Sequence, residues 1–216
     1  MPRAVCCLLV CLAIAAPVSA QQKEPIGRFV ADIRGIFARH KVEPDIAKGL
    51  DVATTNLPVR SFGLVGAAHY YPWRTNKITL GVGGNFILAH GSRTLQIPSA
   101  DGTTTTPSPT VRRHFTSISP EISLNFGHRN GWSYISGGMF GRSKLYADRA
   151  DAPATDAPQR TTLNYGGGAR WFTKERLAFS VDFRWYSVAA QPPTTTGVVF
   201  QPRTTLLVLS GGISIR

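Results

Sequence analysis

Residues 161–187, TTLNYGGGARWFTKERLAFSVDFRWYS, decide the fold that this sequence predicts. Apolar side chains alternate there with small, polar or charged ones. One face of the second half carries Leu177, Phe179, Val181, Phe183 and Trp185, and the other carries Ala178, Ser180, Asp182, Arg184 and Tyr186. Successive side chains of a strand point to opposite faces. The stretch therefore predicts two antiparallel strands, joined by a turn at 173–176, with one apolar and one polar face.

Two architectures can use such a hairpin. A soluble sandwich would bury the apolar face in a core, whereas a membrane barrel would turn it to lipid and fill its interior with the polar face. The spacing of the other strands favours the barrel. Six further strands are predicted at 27–39, 60–71, 77–89, 114–126, 132–144 and 203–216. We expect a bulge or a local break at Pro120, because proline cannot donate to a strand ladder. The facing of the strand 132–144 is ambiguous around Gly137.

Long and short connections alternate strictly along the predicted strands. The long ones are 40–58, 90–113, 146–160 and 188–202, all rich in polar residues or in proline. An even number of strands with short turns at one end and long loops at the other is typical of outer-membrane barrels. Aromatic residues near the strand ends, among them Tyr71, Phe115 and Trp132, predict two belts at the membrane interfaces. The fold class is therefore an all-β, eight-stranded, antiparallel up-and-down transmembrane barrel.

Residues 1–20, MPRAVCCLLVCLAIAAPVSA, have the features of a secretory signal peptide. Arg3 precedes a short apolar run, and Val18-Ser19-Ala20 forms a small-residue cleavage site, so we place cleavage after Ala20. The mature chain, residues 21–216, is then one barrel domain. All 3 cysteines of the chain fall in the signal peptide, so disulfide and thiol chemistry are excluded from the mature protein.

The mature chain is strongly basic. Because the signal peptide carries one of the 24 basic residues and no acid, 23 basic and 12 acidic residues remain, a net charge of +11. The sequence has no basic helix and no nucleic-acid motif. An exported basic protein meets other anions first, and the phosphates of outer-leaflet glycolipid are the expected ones.

The signal peptide, the segment YGGGARWFTKERLAFSVDFRWY at 165–186 and the final strand LLVLSGGISIR resemble the small outer-membrane barrel families of the OmpA, OmpX and OmpW type. The resemblance implies a monomer in the bacterial outer membrane, in contact with lipid and lipopolysaccharide. It also implies insertion by the barrel-assembly machinery. Chains of this class usually end in an aromatic residue, which that machinery reads, and Arg216 stands there instead.

Charged side chains on the inward face are the first candidate site. They are Asp32, Arg34, Glu121, Arg170, Asp182 and Arg184. An eight-stranded barrel is just wide enough for its own side chains. Buried charges must be paired, so we predict an ion-pair plug in which Asp182 bridges Arg170 and Arg184. Gly166 and Gly168 would leave room for the guanidinium groups. A selective passage through the lumen is the alternative.

His114 and Thr116 form the second candidate, two residues apart on one face at the loop end of a strand. A lipid A deacylase, also an eight-stranded barrel, uses a His and a Ser in that relation on its outer wall. Here threonine replaces serine, and no acid is clearly placed to orient His114, although such chemistry needs a nucleophile, a base and an orienting group. The simpler interpretation is a histidine at the membrane interface.

Basic residues near the outer strand ends are the third candidate, since arginine suits bidentate contacts with phosphate. The possible glycolipid-phosphate contacts are Arg60, Arg112, Arg113, Arg160 and Arg203. The alternative is that these are ordinary solvated charges of the loops.

The histidines show no ligand spacing, and we predict no metal and no cofactor. The expected function is a structural or surface-interaction role without catalysis. The alternatives are a lipid A acyl hydrolase and a narrow channel or carrier for small hydrophobic molecules.

Overall fold

The computed structural model of the protein describes residues 25–75, 78–94, 96–98, 105–107, 110–154, 157–192, 200 and 202–216. The predicted signal peptide and its cleavage site lie outside these ranges. The described strands are β1 (Phe29–Arg39), β2 (Arg60–Arg74), β3 (Ile78–Arg93), β4 (Gln96–Pro98), β5 (Thr105–Pro107), β6 (Val111–His128), β7 (Gly131–Arg149), β8 (Arg160–Phe172), β9 (Leu177–Val188) and β10 (Thr204–Ile215). One α-helix, α1 (Pro44–Gly49), and a 3-10 helix, Thr54–Asn56, lie between β1 and β2.

Eight of these strands close into an antiparallel barrel in the order β1-β2-β3-β6-β7-β8-β9-β10, and β10 pairs with β1. The predicted eight-stranded up-and-down barrel is therefore confirmed. Strands β4 and β5 form a separate two-stranded ribbon between β3 and β6. The loop predicted at 90–113 is thus shorter than expected, because β3 and β6 extend into it and pair as far as Arg93 and Val111. Among the described residues, no helix is both long and apolar enough to cross a membrane.

The outer surface of the barrel is apolar, as the alternation predicts. Val181 is 45% exposed, whereas its neighbour Ser180 is only 1% exposed and faces the interior. Strand β1 shows the same division, with Ile33 63% exposed beside the buried Asp32 and Arg34. The exposed side chains of the other strands include Leu64, Phe86, Ile122, Leu124, Phe179, Leu209 and Ile213.

Two irregularities in the ladders explain the positions where the alternation was hard to interpret. The β6–β7 register shifts between Ile118 and Ile122, so the pairing with β7 is broken beside Pro120, as expected. The extra residue lies in β7, and Pro120 stays in register with Gly84 of β3. The β7–β8 register shifts between Gly138 and Gly141. Inward residues of β7 are consequently even-numbered before the second shift, as at Tyr134, and odd-numbered after it. This shift settles the facing of β7, because a bulge adds a residue and reverses which side chains point inward.

The interior of the barrel contains an apolar layer near each end and a layer of charged side chains between them. The layer at the loop end is apolar and comprises Ile36, Ala38, Val65, Ile87, Ala89, Phe115, Leu145, Tyr186, Val188, Leu206 and Val208. The layer at the turn end comprises Ile26, Val30, Tyr71, Trp132 and Tyr134, with Phe172 packed against it. The expectation of a polar interior therefore needs correction, because apolar side chains also lie inside the barrel near both ends. Tyr71, Phe115 and Trp132, which were expected in the interface belts, lie inside because their strand positions point inward.

The connection between β1 and β2 is not the plain polar loop that the sequence predicted. Helix α1 begins with Pro44, a residue favoured in the first helical turn. Ile46 and Leu57 of this connection are buried against Val111 and Ala147 at the loop end of the barrel. We call residues 40–58 the cap, since they lie over that end. Leu50 and Val52 of the cap pack against the same cluster.

Candidate functional site

All six predicted inward charges lie in the middle layer of the barrel and are buried. Three are acids and three are arginines, so the layer is neutral overall. Charged groups removed from water are costly unless each is paired and its remaining hydrogen-bonding atoms are satisfied. The pairing of these groups therefore decides what the lumen can do.

Asp32 of β1 and Arg170 of β8 form a buried ion pair in which both carboxylate oxygens take part. The Nε and Nη2 atoms of Arg170 donate to the two carboxylate oxygens of Asp32 over 2.9 Å and 2.6 Å. Such a bidentate contact is the strongest hydrogen-bonding geometry between arginine and a carboxylate. Ser214 of β10 also donates to Asp32. The guanidinium of Arg170 lies 4.4 Å from the ring centre of Tyr134.

Asp182 pairs with Arg184 and Arg34, and the predicted bridge from Asp182 to Arg170 is wrong. Arg184 donates to both oxygens of Asp182 over 3.2 Å, and Arg34 Nη1 lies 3.9 Å from Asp182 Oδ2. The predicted register is right, since Gly168 lies opposite Asp182. Arg170 nevertheless takes its carboxylate from β1 across the lumen.

Tyr134 of β7 occupies the space that Gly168 was expected to give to a guanidinium. A Cβ atom at Gly168 would lie 2.7 Å from the Tyr134 hydroxyl oxygen. That hydroxyl donates to Asp182 over 2.8 Å and accepts from Arg34 over 2.9 Å. The phenol thus links two charged residues that lie only loosely in contact with each other.

Glu121 and His69 connect the two pairs into one network. Arg184 Nη1 donates to Glu121, and His69 of β2 lies between acids, with Nε2 3.6 Å from Glu121 and Nδ1 4.0 Å from Asp32. Asn85 of β3 also donates to Glu121. Every one of the eight barrel strands therefore contributes a side chain to this group, which we call the lumen network.

Sequence reasoning missed several members of the lumen network: His69, Asn85, Tyr134, Ser136, Asn164 and Ser214. Arg184 donates to Asn164 and to Ser136 over 2.7 Å each. The period-two facing of β2 already places His69 inward, because Ala68 and Tyr70 face outward. Tyr134 could not be assigned in this way, since the facing of β7 was ambiguous.

Arg113 and Arg160 do not face lipid, which corrects two of the predicted glycolipid contacts. Arg113 is 1% exposed and Arg160 is 3% exposed. Arg113 pairs with Glu43 of the cap and donates to the carbonyl of Lys41 over 3.2 Å. Arg160 donates to the carbonyls of Ala189 and Pro202 over 2.6 Å and 2.8 Å. Both arginines point inward and hold the connections of the loop end together.

His40 follows β1 directly and anchors the start of the cap. Its Nε2 lies 2.8 Å from the hydroxyl oxygen of Ser61. Burial, reinforced by the positive charge of Arg113, lowers the pKa of His40 from 6.5 to about 3. The imidazole is therefore neutral in the folded cap, while an exposed histidine would titrate near its ordinary value.

This difference predicts that the cap loosens in mild acid. Because the pKa of His40 is lower in the folded cap than in the unfolded chain, its contribution to the stability of the cap is complete above about pH 6.5 and is lost progressively as the pH falls toward about 3. Hydrogen-exchange protection of residues 44–57 should thus drop about tenfold per unit between pH 6.5 and 5. His40→Gln should remove most of this dependence. An equal dependence in both proteins would show that His40 is not the group responsible.

His114 and Thr116 both point outward from β6 at the loop end. The structure supplies an acid that the sequence did not place: Asp148 Oδ1 lies 3.7 Å from His114 Nε2. The His114 ring also packs between His90 and Tyr146, with ring centres 4.7 Å away on each side. Among the described contacts there is no hydrogen bond between His114 and Thr116.

The other predicted lipid contacts, Arg60 and Arg203, are exposed, and Arg112 is partly exposed. Arg112 donates weakly to the carbonyl of Ala150 over 3.5 Å. These three can meet an external anion, unlike the two buried arginines. Within the part of the chain that the structure describes, no group of three or more His, Cys, Asp or Glu side chains is placed to hold a metal ion.

Comparisons with known proteins identify the fold. No protein-family model matches the chain, and no curated protein matches it. Among solved structures, Neisserial surface protein A is similar over 89% of this chain and 99% of its own, with a TM-score of 0.50 and 12% identity.

Two further structures are similar over most of their length. Ail, the attachment invasion locus protein of Yersinia pestis, matches 88% of this chain and 99% of its own, with a TM-score of 0.47 and 14% identity. The outer membrane protein OprG from Pseudomonas aeruginosa matches 90% of this chain and 97% of its own, with a TM-score of 0.47 and 15% identity. At such identities a structural likeness speaks to the fold alone. The chain has the fold of the small eight-stranded outer-membrane β-barrels, the fold that its sequence predicts.

Proposed function

We propose that the protein is a monomeric, integral barrel of the bacterial outer membrane, inserted by the barrel-assembly machinery. The apolar outer wall supports this location. In a soluble protein, large apolar side chains on every strand of the barrel would be exposed to water. Patches of that extent are unusual on soluble monomers. Protein folded in detergent should therefore remain folded on a denaturing detergent gel unless the sample is boiled. Boiled and unboiled samples should then differ in mobility. Folding in plain buffer without detergent or lipid would contradict the proposal.

Within the membrane, the protein acts through its surface and loops, without catalysis and without conducting through its lumen. The observation that carries this proposal is the lumen network, whose three acids and three arginines are paired with one another. An apolar layer lies on each side of the network, and the cap covers the loop end. A water path would have to break buried ion pairs, which is strongly unfavourable.

Solute entry into proteoliposomes tests the closed lumen. Vesicles with the wild-type protein should swell in a small sugar no faster than protein-free vesicles, whereas vesicles with a general porin should swell rapidly. Swelling at the rate of the porin control would support the alternative function, a narrow channel. The folded fraction in each preparation is measured by the heat-dependent gel shift.

The external partner that fits the loop end is the phosphate of lipopolysaccharide. Arg60, Arg112 and Arg203 are the predicted contacts that remain accessible. Replacing all three with glutamine should reduce lipopolysaccharide retained during purification. Lys48→Gln, which removes an exposed positive charge from α1, is the control, and this variant should retain as much lipopolysaccharide as the wild type. Equal retention in the triple variant and wild type would refute these contacts.

A lipid A acyl hydrolase is the second candidate, and the proximity of Asp148 to His114 is the observation that favours it. The missing hydrogen bond to Thr116 and the stacking of Tyr146 on His114 weigh against it. The mass of lipid A from cells that express the protein should be unchanged. Loss of an acyl chain that disappears with both His114→Ala and Thr116→Val would instead establish the enzyme.

A further inference from the structure

The turn end of the barrel, opposite the cap, carries a cavity of about 500 Å³ that the proposed function does not use. Five arginines line it: Arg28, Arg74, Arg129, Arg176 and Arg216. They come from the segment before β1, the end of β2, the β6–β7 turn, the β8–β9 turn and the residue after β10. Chain segments far apart in sequence thus bring their positive charges to one place.

Positive charge greatly exceeds negative charge in this cavity. Glu175 is the only acidic side chain that lines it among the described residues. Close like charges repel, and a concave surface of one sign concentrates the field and attracts ions of the opposite sign. The cavity therefore has a net attraction for anions.

Two of the arginines are positioned by main-chain carbonyls, which accept hydrogen bonds from their guanidinium groups. Arg74 Nη1 donates to the carbonyl of Ile26 over 3.1 Å. Arg216 donates to the carbonyls of Glu175 and Arg129. The guanidinium of Arg216 lies 4.1 Å from the ring centre of Phe172, which fixes its plane at the base of the barrel.

The side chains of Arg28 and Arg176 are exposed. No ion pair or side-chain hydrogen bond joins either one to another described residue. Their guanidinium groups retain all of their donors for an incoming group. The cavity is thus lined both by arginines that are held in place, Arg74 and Arg216, and by arginines whose donors are available, Arg28 and Arg176. Such a lining can bind an anion within the cavity.

We propose that this cavity, the turn-end arginine cavity, binds a phosphate group. Guanidinium groups donate two parallel hydrogen bonds to phosphate oxygens, and a phosphate offers enough oxygens for several arginines at once. A volume of about 500 Å³ also admits the remainder of a small phosphate ester. With the barrel placed in the outer membrane as proposed, the cavity faces the periplasm. The phosphate then comes from an inner-leaflet phospholipid headgroup or from a soluble phosphate ester.

Calorimetric titration with inorganic pyrophosphate tests the site in protein folded in dodecyl maltoside and phosphate-free buffer at low salt. Wild type should bind saturably at one site. Arg28→Gln and Arg176→Gln should each weaken binding about tenfold, as expected for the loss of a charged hydrogen-bond donor. Lys174→Gln removes the same charge from the same turn outside the cavity lining and should change affinity less than about twofold, the size of a screened surface effect.

The source of the phosphate is distinguished by native mass spectrometry after reconstitution in equal parts of phosphatidylethanolamine and phosphatidylglycerol. A retained lipid that is lost in the Arg28→Gln/Arg176→Gln double variant identifies a headgroup. Pyrophosphate binding without a retained lipid identifies a soluble ester. The proposal is overturned if neither ligand binds, or if Lys174→Gln weakens binding as much as the cavity variants. The heat-dependent gel shift of each variant verifies that the barrel is folded.

Discussion

Asp32→Ala is expected to lower the free energy of unfolding of the barrel by about 3–5 kcal/mol, as for one partner removed from a buried ion pair. Asp32 is the only acid within ion-pair distance of Arg170 among the described residues, and the contact uses both carboxylate oxygens. Without it, Arg170 would remain as an uncompensated charge inside the barrel. The measurement is a urea titration of folding into lipid vesicles.

The double variant Asp32→Ala/Arg170→Met separates the cost of leaving Arg170 buried and unpaired from the loss of the ion pair itself. It should recover much of the stability, because apolar replacement of a whole buried pair is often neutral. Asp151→Ala breaks the exposed pair with Arg149, whose closest atoms lie 2.7 Å apart, and should leave the unfolding midpoint nearly unchanged. If Asp32→Ala were as mild as Asp151→Ala, the Asp32–Arg170 pair would not contribute as the structure indicates.

Val181→Arg is expected to destabilise the membrane-inserted barrel by about 2–4 kcal/mol, because it directs a charge to lipid near the middle of the bilayer. Val181 faces outward near the middle of the barrel wall, where it lies opposite Gly211 of β10, itself opposite Gly35 of β1. Vesicle-folding titrations with urea give the cost directly.

Ser187→Arg is the matched control for depth. Ser187 faces outward on the same strand at the loop end, opposite Leu163, where an arginine should cost only about 0–1 kcal/mol. Ser180→Arg places the charge inside the barrel and tests facing instead of depth. Equal costs for Val181→Arg and Ser187→Arg would contradict the assignment of the outer wall to lipid.

The sequence alone was sufficient for the eight barrel strands, for the facing of all of them except β7, and for the β8–β9 register. A strict alternation over 161–187 fixes which side chains share a face, and the short turn fixes that Gly168 lies opposite Asp182. The partner of Arg170 was beyond this reasoning. The carboxylate that pairs with Arg170 belongs to Asp32, 138 residues away in the chain. In a closed barrel, a long side chain can contact residues across the lumen as well as neighbours on the adjacent strands.

The apolar interior layers and the cap were missed for a different reason. At the loop end the alternation lapses, as in Phe86-Ile87-Leu88-Ala89, where both faces are apolar. One of those faces meets the interior layer that contains Ile87. In the cap, only a few apolar residues stand among polar ones. The cap is also joined to the barrel by the pair of Arg113 and Glu43, which are 70 residues apart and whose contact no local pattern reveals.

In the closed lumen that we propose, the charged groups that block the passage are also those that stabilise the barrel. Removal of one acid therefore affects both properties. Asp182→Ala should leave Arg34 without its carboxylate partner and the lumen network with an excess of positive charge. Any leak that this variant acquires should favour anions.

The most direct test of the closed lumen is the current through single barrels reconstituted in a planar lipid bilayer. The lumen network and the layers on each side of it predict no steady conductance steps from the wild-type protein at either polarity. Insertion in the same preparation is established by the heat-dependent gel shift. Stable, ion-selective conductance steps from the unmodified barrel would contradict the account and would make the protein a channel.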